Sequence, residues 1–257
     1  MNSIEKRKYL AEKFNAKSLS ELQKKDVEKT KLVVFDFDGT LVSSSTMFYN
    51  VMKEAMIMLK LPVSDYIIKN IFPKFDKEYF GWGKNLEEQK NIYITKFQPL
   101  ITKLSNQEEY IKQMYLFNNI KETIKILAKT DIALAIASSR DLNSILTFLK
   151  RQELKHYFSM IEATEGGINF MDKPNTSIVN YISQEVGISL ENSVMIGDSS
   201  ADILMGKNAG MKTIAVGYDD KRKINDLQNL KPDAIVKKQE HIPMIPFIVN
   251  DLLSEQR

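Results

Sequence analysis

The sequence predicts an α/β fold, with a parallel sheet core, helices on both of its faces and an all-helical unit inserted near its start. Three observations predict it. Short, almost wholly apolar runs recur along the chain, stretches of helical periodicity lie between them, and one interval is far too long for that alternation. The 257 residues accommodate one large domain or two modest ones.

Residues 1–30 come first and read as an amphipathic helical extension, with Ile4, Leu10, Phe14, Leu19, Leu22 and Val27 spaced loosely among charges. The period breaks near Ser18 and Ser20. This segment holds eight Lys/Arg against five Asp/Glu and so carries the whole formal charge of +3. The remainder is formally neutral, which predicts no binding of nucleic acid or acidic membrane.

From Lys31 the pattern changes to Leu32-Val33-Val34-Phe35, an apolar run ending in Asp36-Phe37-Asp38-Gly39-Thr40. A strand buried on both faces and meeting a polar turn reads this way. Comparable runs recur at 132–137, 160–163, 194–196, 213–216 and 234–236. Helical periods fall near 119–129, 141–151, 175–186 and 200–209, with Gly187 and Gly210 placed as stops. Strand alternating with helix means a parallel sheet covered on both sides. Ligands of such sheets gather at the strands' carboxyl ends, where Asp36, Ser138 and Asp198 fall.

Asp36 and Ser138 are 102 residues apart, whereas a strand-helix-strand unit needs about 30. Residues 45–117 are rich in helix formers and aromatics, broken at Pro62, Pro73 and Gly81-Trp82-Gly83. They read as a helical cap inserted into a core made of 31–44 and 118–257. Trp82 suits either a cap loop tipped onto a substrate or a structural turn.

Composition limits the chemistry. A 43% hydrophobic share with 27% charged residues supports a packed core and excludes disordered and collagen-like classes. Zero cysteines exclude disulfides and thiolate chemistry, and two histidines, His156 and His241, are too few for a multi-His zinc site. Any metal is therefore expected to be oxygen-ligated. With no apolar signal core and no run near the roughly 18 residues of a membrane span, a cytoplasmic protein is expected. The twelve methionines read as core filling.

Four segments carry the candidate chemistry. Asp36 and Asp38 stand at i and i+2, the spacing that turns two side chains of an extended segment the same way. Ser138 and Ser139 end a strand and lead into a helix, offering a hydroxyl and free N–H groups to phosphate, although either serine could simply cap that helix. Lys173 precedes Pro174 where a loop enters a helix. Asp198 and Asp202, at i and i+4, add an acidic cluster suited to Mg²⁺.

In this order, the four segments closely resemble the haloacid dehalogenase superfamily, in particular its phosphatase branch with a helical cap of the C1 type, similar to phosphoglycolate phosphatase. The resemblance spans Lys31 to about Val236 and implies a Rossmann-like core. It further implies that Asp36 attacks phosphorus to form an aspartyl-phosphate and that Asp38 protonates the leaving group and then activates water. Ser138 and the Ser139 amide would bind phosphoryl oxygens, and Lys173 would balance charge. Mg²⁺ would be held by Asp36, the Asp38 carbonyl and Asp198, with Asp202 nearby holding bound water. Arg140 is a supporting candidate beside the phosphate site.

The expected substrate is a small phosphorylated metabolite, and the oligomeric state is open. Two departures bear on the substrate: Ser43-Ser44-Ser45 follows Leu41-Val42 where relatives often carry Asp-Ser, and Leu116-Phe117-Asn118-Asn119 replaces a Tyr-Pro-Gly-like turn. The alternatives are a phosphosugar mutase using the same aspartyl-phosphate and a noncatalytic regulatory or binding protein of the same fold.

Overall fold

The computed structural model describes residues 29–74, 77–164 and 169–254. The expected helical extension therefore lies outside the described residues, apart from Lys29 and Thr30. The chain divides into two compact units, Met1–Ser43 with Leu116–Arg257, and Ser44–Tyr115.

The larger unit is built on six parallel strands: β1 (Lys31–Phe35), β4 (Ile132–Ser138), β5 (Met160–Ala163), β6 (Ser193–Gly197), β7 (Lys212–Val216) and β8 (Ala234–Val236). Their order across the sheet is β5-β4-β1-β6-β7-β8. Chain order thus runs outward from β1 in one direction and then, after β5, restarts beside β1 in the other. The resulting reversal between β1 and β6 is where a parallel sheet opens a crevice at its carboxyl edge. The register sets Phe35 beside Ile136 and Ile196, so Asp36, Ser138 and Asp198 all leave the sheet at one edge.

Burial explains the apolar strands. Leu32, Val34, Ala133 and Ala135 turn to one face and pack with Ile178, Val179 and Ile182 of α8 (Ser177–Val186) and Met205 of α9 (Ser200–Asn208). On β4 and β6 lie also α6 (Ile120–Ala128) and α11 (Ile245–Ser254). Two further core helices are α7 (Leu142–Arg151) and α10 (Lys221–Asn229). Gly187 closes α8 at φ 74°, as the sequence predicts. Met160, Met195, Met205 and Met211 are buried, as core filling requires, whereas Met58, Met171 and Met244 are exposed and depart from that expectation. Neither two-residue strand of the small second sheet, β2 (Val42–Ser43) and β3 (Tyr115–Leu116), has a sequence signal.

The smaller unit is helical: α1 (Ser45–Met58), α2 (Asp65–Lys74), α3 (Leu86–Ile92), α4 (Gln98–Ser105) and α5 (Glu108–Ile111), with a π-turn at Tyr93–Phe97 joining α3 to α4. Asn85 caps α3 by accepting the Glu88 N–H at 2.9 Å. Buried Gln89 fixes the preceding loop, accepting the Phe80 N–H at 2.6 Å and donating to the Glu78 carbonyl at 2.7 Å. Trp82 is fully buried and meets Phe97 edge-on, with ring centroids 4.7 Å apart. It is a structural aromatic of this unit.

Candidate active site

Asp36 continues the ladder of β1, its N–H donating to the Ile196 carbonyl at 2.8 Å. That bond fixes the backbone and leaves the side chain at the sheet edge, 10% exposed. Lys173 Nζ lies 2.6 Å from Asp36 Oδ1 and 2.7 Å from Asp202 Oδ1. One ammonium therefore bridges acids that are 166 residues apart in sequence.

Asp202 is held from its own helix. At the start of α9, Ser199 and Asp202 form a reciprocal cap: the Ser199 hydroxyl and N–H donate to Asp202 Oδ2 at 2.6 and 3.1 Å, and the Asp202 N–H donates back at 3.3 Å. This is the capping-box arrangement with an aspartate at its third position. One Asp202 oxygen is committed to the cap and the other faces Lys173.

Asp198 follows β6 and pairs with Lys223, from the first turn of α10. One oxygen from each of Asp36, Asp198 and Asp202 lies within 4.8 Å of the others. Gly39 adjoins this cluster at φ +80°, and a β-carbon there would fall 2.1 Å from Asp198 Oδ2. The turn therefore requires glycine both for its backbone and for its lack of side chain.

The electrostatics follow from burial. Desolvation raises the Asp36 carboxyl well above the usual aspartate range; Lys173 opposes the rise, and Asp202 and Asp198 add to it. Asp198 is raised by the same cause, with Lys223 opposing. Burial disfavours the Lys173 charge, but Asp202 and Asp36 outweigh it and hold that ammonium above the ordinary lysine value. Three carboxyl groups thus meet two ammonium groups, Lys173 and Lys223. A donor set of carboxylate oxygens with no sulfur or imidazole fits a hard divalent cation.

Asp38 turns away from this cluster to Arg140, whose Nε and Nη2 each donate to one of its oxygens at 2.8 Å. Arg140 is itself positioned by Ser144, which accepts from Nη1 at 3.1 Å, and by its own N–H, which donates to Ser138 Oγ at 3.2 Å. Ser138 is buried and Ser139 is exposed. Neither caps α7: Asp141 does, accepting the Asn143 and Ser144 N–H groups. The capping alternative for the serines is thereby corrected, because the helix begins three residues later than Ser139.

Residues 33–216 match the family of haloacid dehalogenase-like hydrolases. The chain belongs to that family. Among curated relatives, this family member is 28% identical over 200 residues to the pyrophosphatase PpaX of Halalkalibacterium halodurans, covering 72% of this chain and 83% of the relative. It is 25% identical over 227 residues to the phosphoglycolate phosphatase of Aliivibrio fischeri, covering 81% and 92%. Among solved structures, a haloacid dehalogenase-like family protein of Streptococcus pneumoniae superposes with a TM-score of 0.62 at 21% identity, covering 85% of this hydrolase and 98% of that chain.

The structure brings Asp36, Lys173, Asp198 and Asp202 of the predicted set into one cluster and leaves Asp38 with Arg140. Sequence reasoning missed Lys223 and Tyr218. The Tyr218 hydroxyl donates to the Thr40 carbonyl at 2.9 Å, its ring lies 4.6 Å from that of Phe117, and burial raises its phenol above the usual range. Nothing in Tyr218-Asp219-Asp220-Lys221-Arg222-Lys223 marks either residue, since their partners lie in the turns after β1 and β6. Neither histidine stands out: the His156 ring packs 4.0 Å from Tyr157, and His241 Nε2 lies 3.6 Å from Glu240 on the surface. Among the described residues, no helix is long and apolar enough to cross a membrane.

Proposed function

We propose that this hydrolase is a Mg²⁺-dependent phosphatase acting on a small phosphorylated metabolite in the cytoplasm. The observation that carries the reading is Lys173 Nζ standing between Asp36 and Asp202, beside the Asp198 carboxylate. Phosphoryl transfer assembles negative charge from both nucleophile and substrate, and its catalysis rests on positioning and charge compensation. A buried ammonium touching the nucleophile provides that compensation.

In this reading Asp36 Oδ attacks phosphorus, forming an aspartyl-phosphate as the leaving oxygen departs, and water then cleaves it to restore the carboxylate. Asp38 protonates the leaving oxygen and later takes a proton from the attacking water. The Ser138 hydroxyl and Ser139 N–H hold phosphoryl oxygens. Asp36, Asp198 and the Asp38 carbonyl would hold Mg²⁺, with Asp202 orienting water beside them, and the ion would supply a fixed positive charge for the phosphoryl oxygens. Residues 45–117 serve as the cap that selects the leaving group and excludes water.

The names of the relatives support small phosphorylated anions, a diphosphate in one case and a phosphorylated acid in the other. The test is phosphate release from pyrophosphate, phosphoglycolate, sugar phosphates and nucleotides, with and without Mg²⁺. Asp36→Asn is expected to reduce release to background while the protein stays folded, and Asp38→Asn to lose roughly 10²- to 10⁴-fold. Full activity in Asp36→Asn overturns the mechanism. Sugar-phosphate isomerisation without net phosphate release would mark a mutase instead.

A further inference from the structure

We propose that Lys223 is a built-in competitor for the metal site, an ammonium that neutralises Asp198 and must leave it when a divalent cation binds. The inference rests on the assignment of Asp198 as a metal ligand and extends it to a residue that the family motifs do not include.

Two independent observations carry it. The first is the pairing itself: Lys223 Nζ donates to Asp198 Oδ2, and among the described residues it is the one cation in ion-pair reach of that carboxylate. Asp198's other oxygen has only a long contact with Thr40 Oγ1 at 3.5 Å. A divalent ion on either oxygen of this carboxylate would lie within a few ångströms of the ammonium, and the repulsion between them makes the two competing counter-ions.

The second observation is where Lys223 stands on its helix. Lys221, Arg222 and Lys223 form the first turn of α10, capped by Asp220, which accepts the Arg222 and Lys223 N–H groups at 3.0 and 3.1 Å. Positive side chains at a helix N-terminus oppose the macrodipole, so helix stability does not account for a lysine there, whereas Asp198 does. The preceding loop holds its base in place. The Gly217 N–H donates to the Val236 carbonyl at 2.9 Å, the Asp219 N–H to the Lys237 carbonyl at 2.7 Å, and Tyr218 to Thr40. With its backbone fixed and its side chain 36% exposed against 14% for Asp198, Lys223 can swing its flexible stem into solvent without moving the loop.

The consequence is a metal affinity set below what the three acids alone would give, with each Mg²⁺ bound at the expense of an internal ion pair. The test is calorimetric titration of the full chain with MgCl₂, comparing wild type with Lys223→Met, Lys223→Arg and Lys221→Met. Lys223→Met is expected to bind roughly 3- to 30-fold tighter, the effect of removing one charge a few ångströms from the ion at a partly screened site. Lys223→Arg should remain within about twofold of wild type, and Lys221→Met, which removes the same charge without the pair, should change affinity far less.

Amine acetylation of the unaltered protein, read by mass spectrometry, provides the second measurement: Mg²⁺ should raise labelling at Lys223 and leave Lys221 unchanged. Unchanged or weaker binding in Lys223→Met, an equal gain in Lys221→Met, or Mg²⁺-independent labelling of Lys223 each overturns the proposal. If wild type binds no Mg²⁺ at all, or Asp198→Asn binds it as well as wild type does, the metal assignment itself fails and the competitor falls with it.

Discussion

Arg140 grips Asp38 as a fork, Nε on Oδ2 and Nη2 on Oδ1, each at 2.8 Å. The guanidinium side chain is 3% exposed and the carboxylate 24%, so the acid proposed to move protons is anchored from the buried side. Two parallel bonds fix the plane of the carboxylate as well as its position. A further bond from the Arg140 N–H to Ser138 Oγ joins that anchor to the segment proposed to hold phosphate.

Arg140→Met should therefore lower kcat by roughly 10- to 100-fold with a smaller change in KM, because it removes orientation and leaves the acid itself in place. Arg140→Lys should recover only a small part of the loss, since an ammonium cannot reproduce the fork. Steady-state kinetics on the best substrate of the panel measure both. A Lys variant equal to wild type would show that charge alone suffices.

Lys173→Met should destabilise the protein by about 3–5 kcal/mol at pH 8, the usual result of leaving buried carboxylates without their cation. The loss should be smaller at pH 5.5. Burial already raises the Asp36 carboxyl, and without the ammonium the native state keeps that proton to still higher pH, while the unfolded chain releases it near about pH 4. Between those values the native state binds more protons, so stability falls as pH rises. Urea melts in EDTA at the two pH values check the sign.

Divalent binding should also be visible as stability. At a free Mg²⁺ concentration of about 100 times Kd, mass action adds roughly 2.7 kcal/mol, and Asp198→Asn should lose most of that gain. Thermal melts with Mg²⁺ and with EDTA measure it. An equal increment in both proteins would place the ion elsewhere.

Trp82 gives a prediction for the helical unit. Its indole N–H is buried without a hydrogen-bond partner, so Trp82→Phe keeps the ring contact with Phe97 while removing an unmatched donor. It should stay within about 1 kcal/mol of wild type, whereas Trp82→Ala should cost about 3–5 kcal/mol. Circular dichroism melts serve here, because Trp82 is the only tryptophan and the tryptophan fluorescence disappears with it.

The core strands were legible because each is buried on both faces, and a short apolar run between turn residues records that burial directly. Asp36, Ser138 and Asp198 were legible for a related reason, as polar residues standing where such runs end. Lys173 needed the family resemblance, since a lone lysine before proline says nothing about the two acids it bridges. Lys223 and Tyr218 were not legible at all. Their partners, Asp198 and the Thr40 carbonyl, are brought to them by the crossing from β6 through α9 to β7 and by strand order, and neither leaves a local pattern. The serine pair misled in one respect, since Asp141 offers an equally good cap and stands at the true helix start.

The crowding around Gly39 has a consequence for how such sequences vary. Because a methyl group there and the Asp198 carboxylate claim the same volume, positions 39 and 198 are not free to change independently. A relative bearing alanine at 39 is expected to carry a shorter or displaced side chain at 198 and, with it, a weakened hold on any cation. Paired substitution at these two sites, more than either one alone, would separate lineages that kept the chemistry from those that kept only the scaffold.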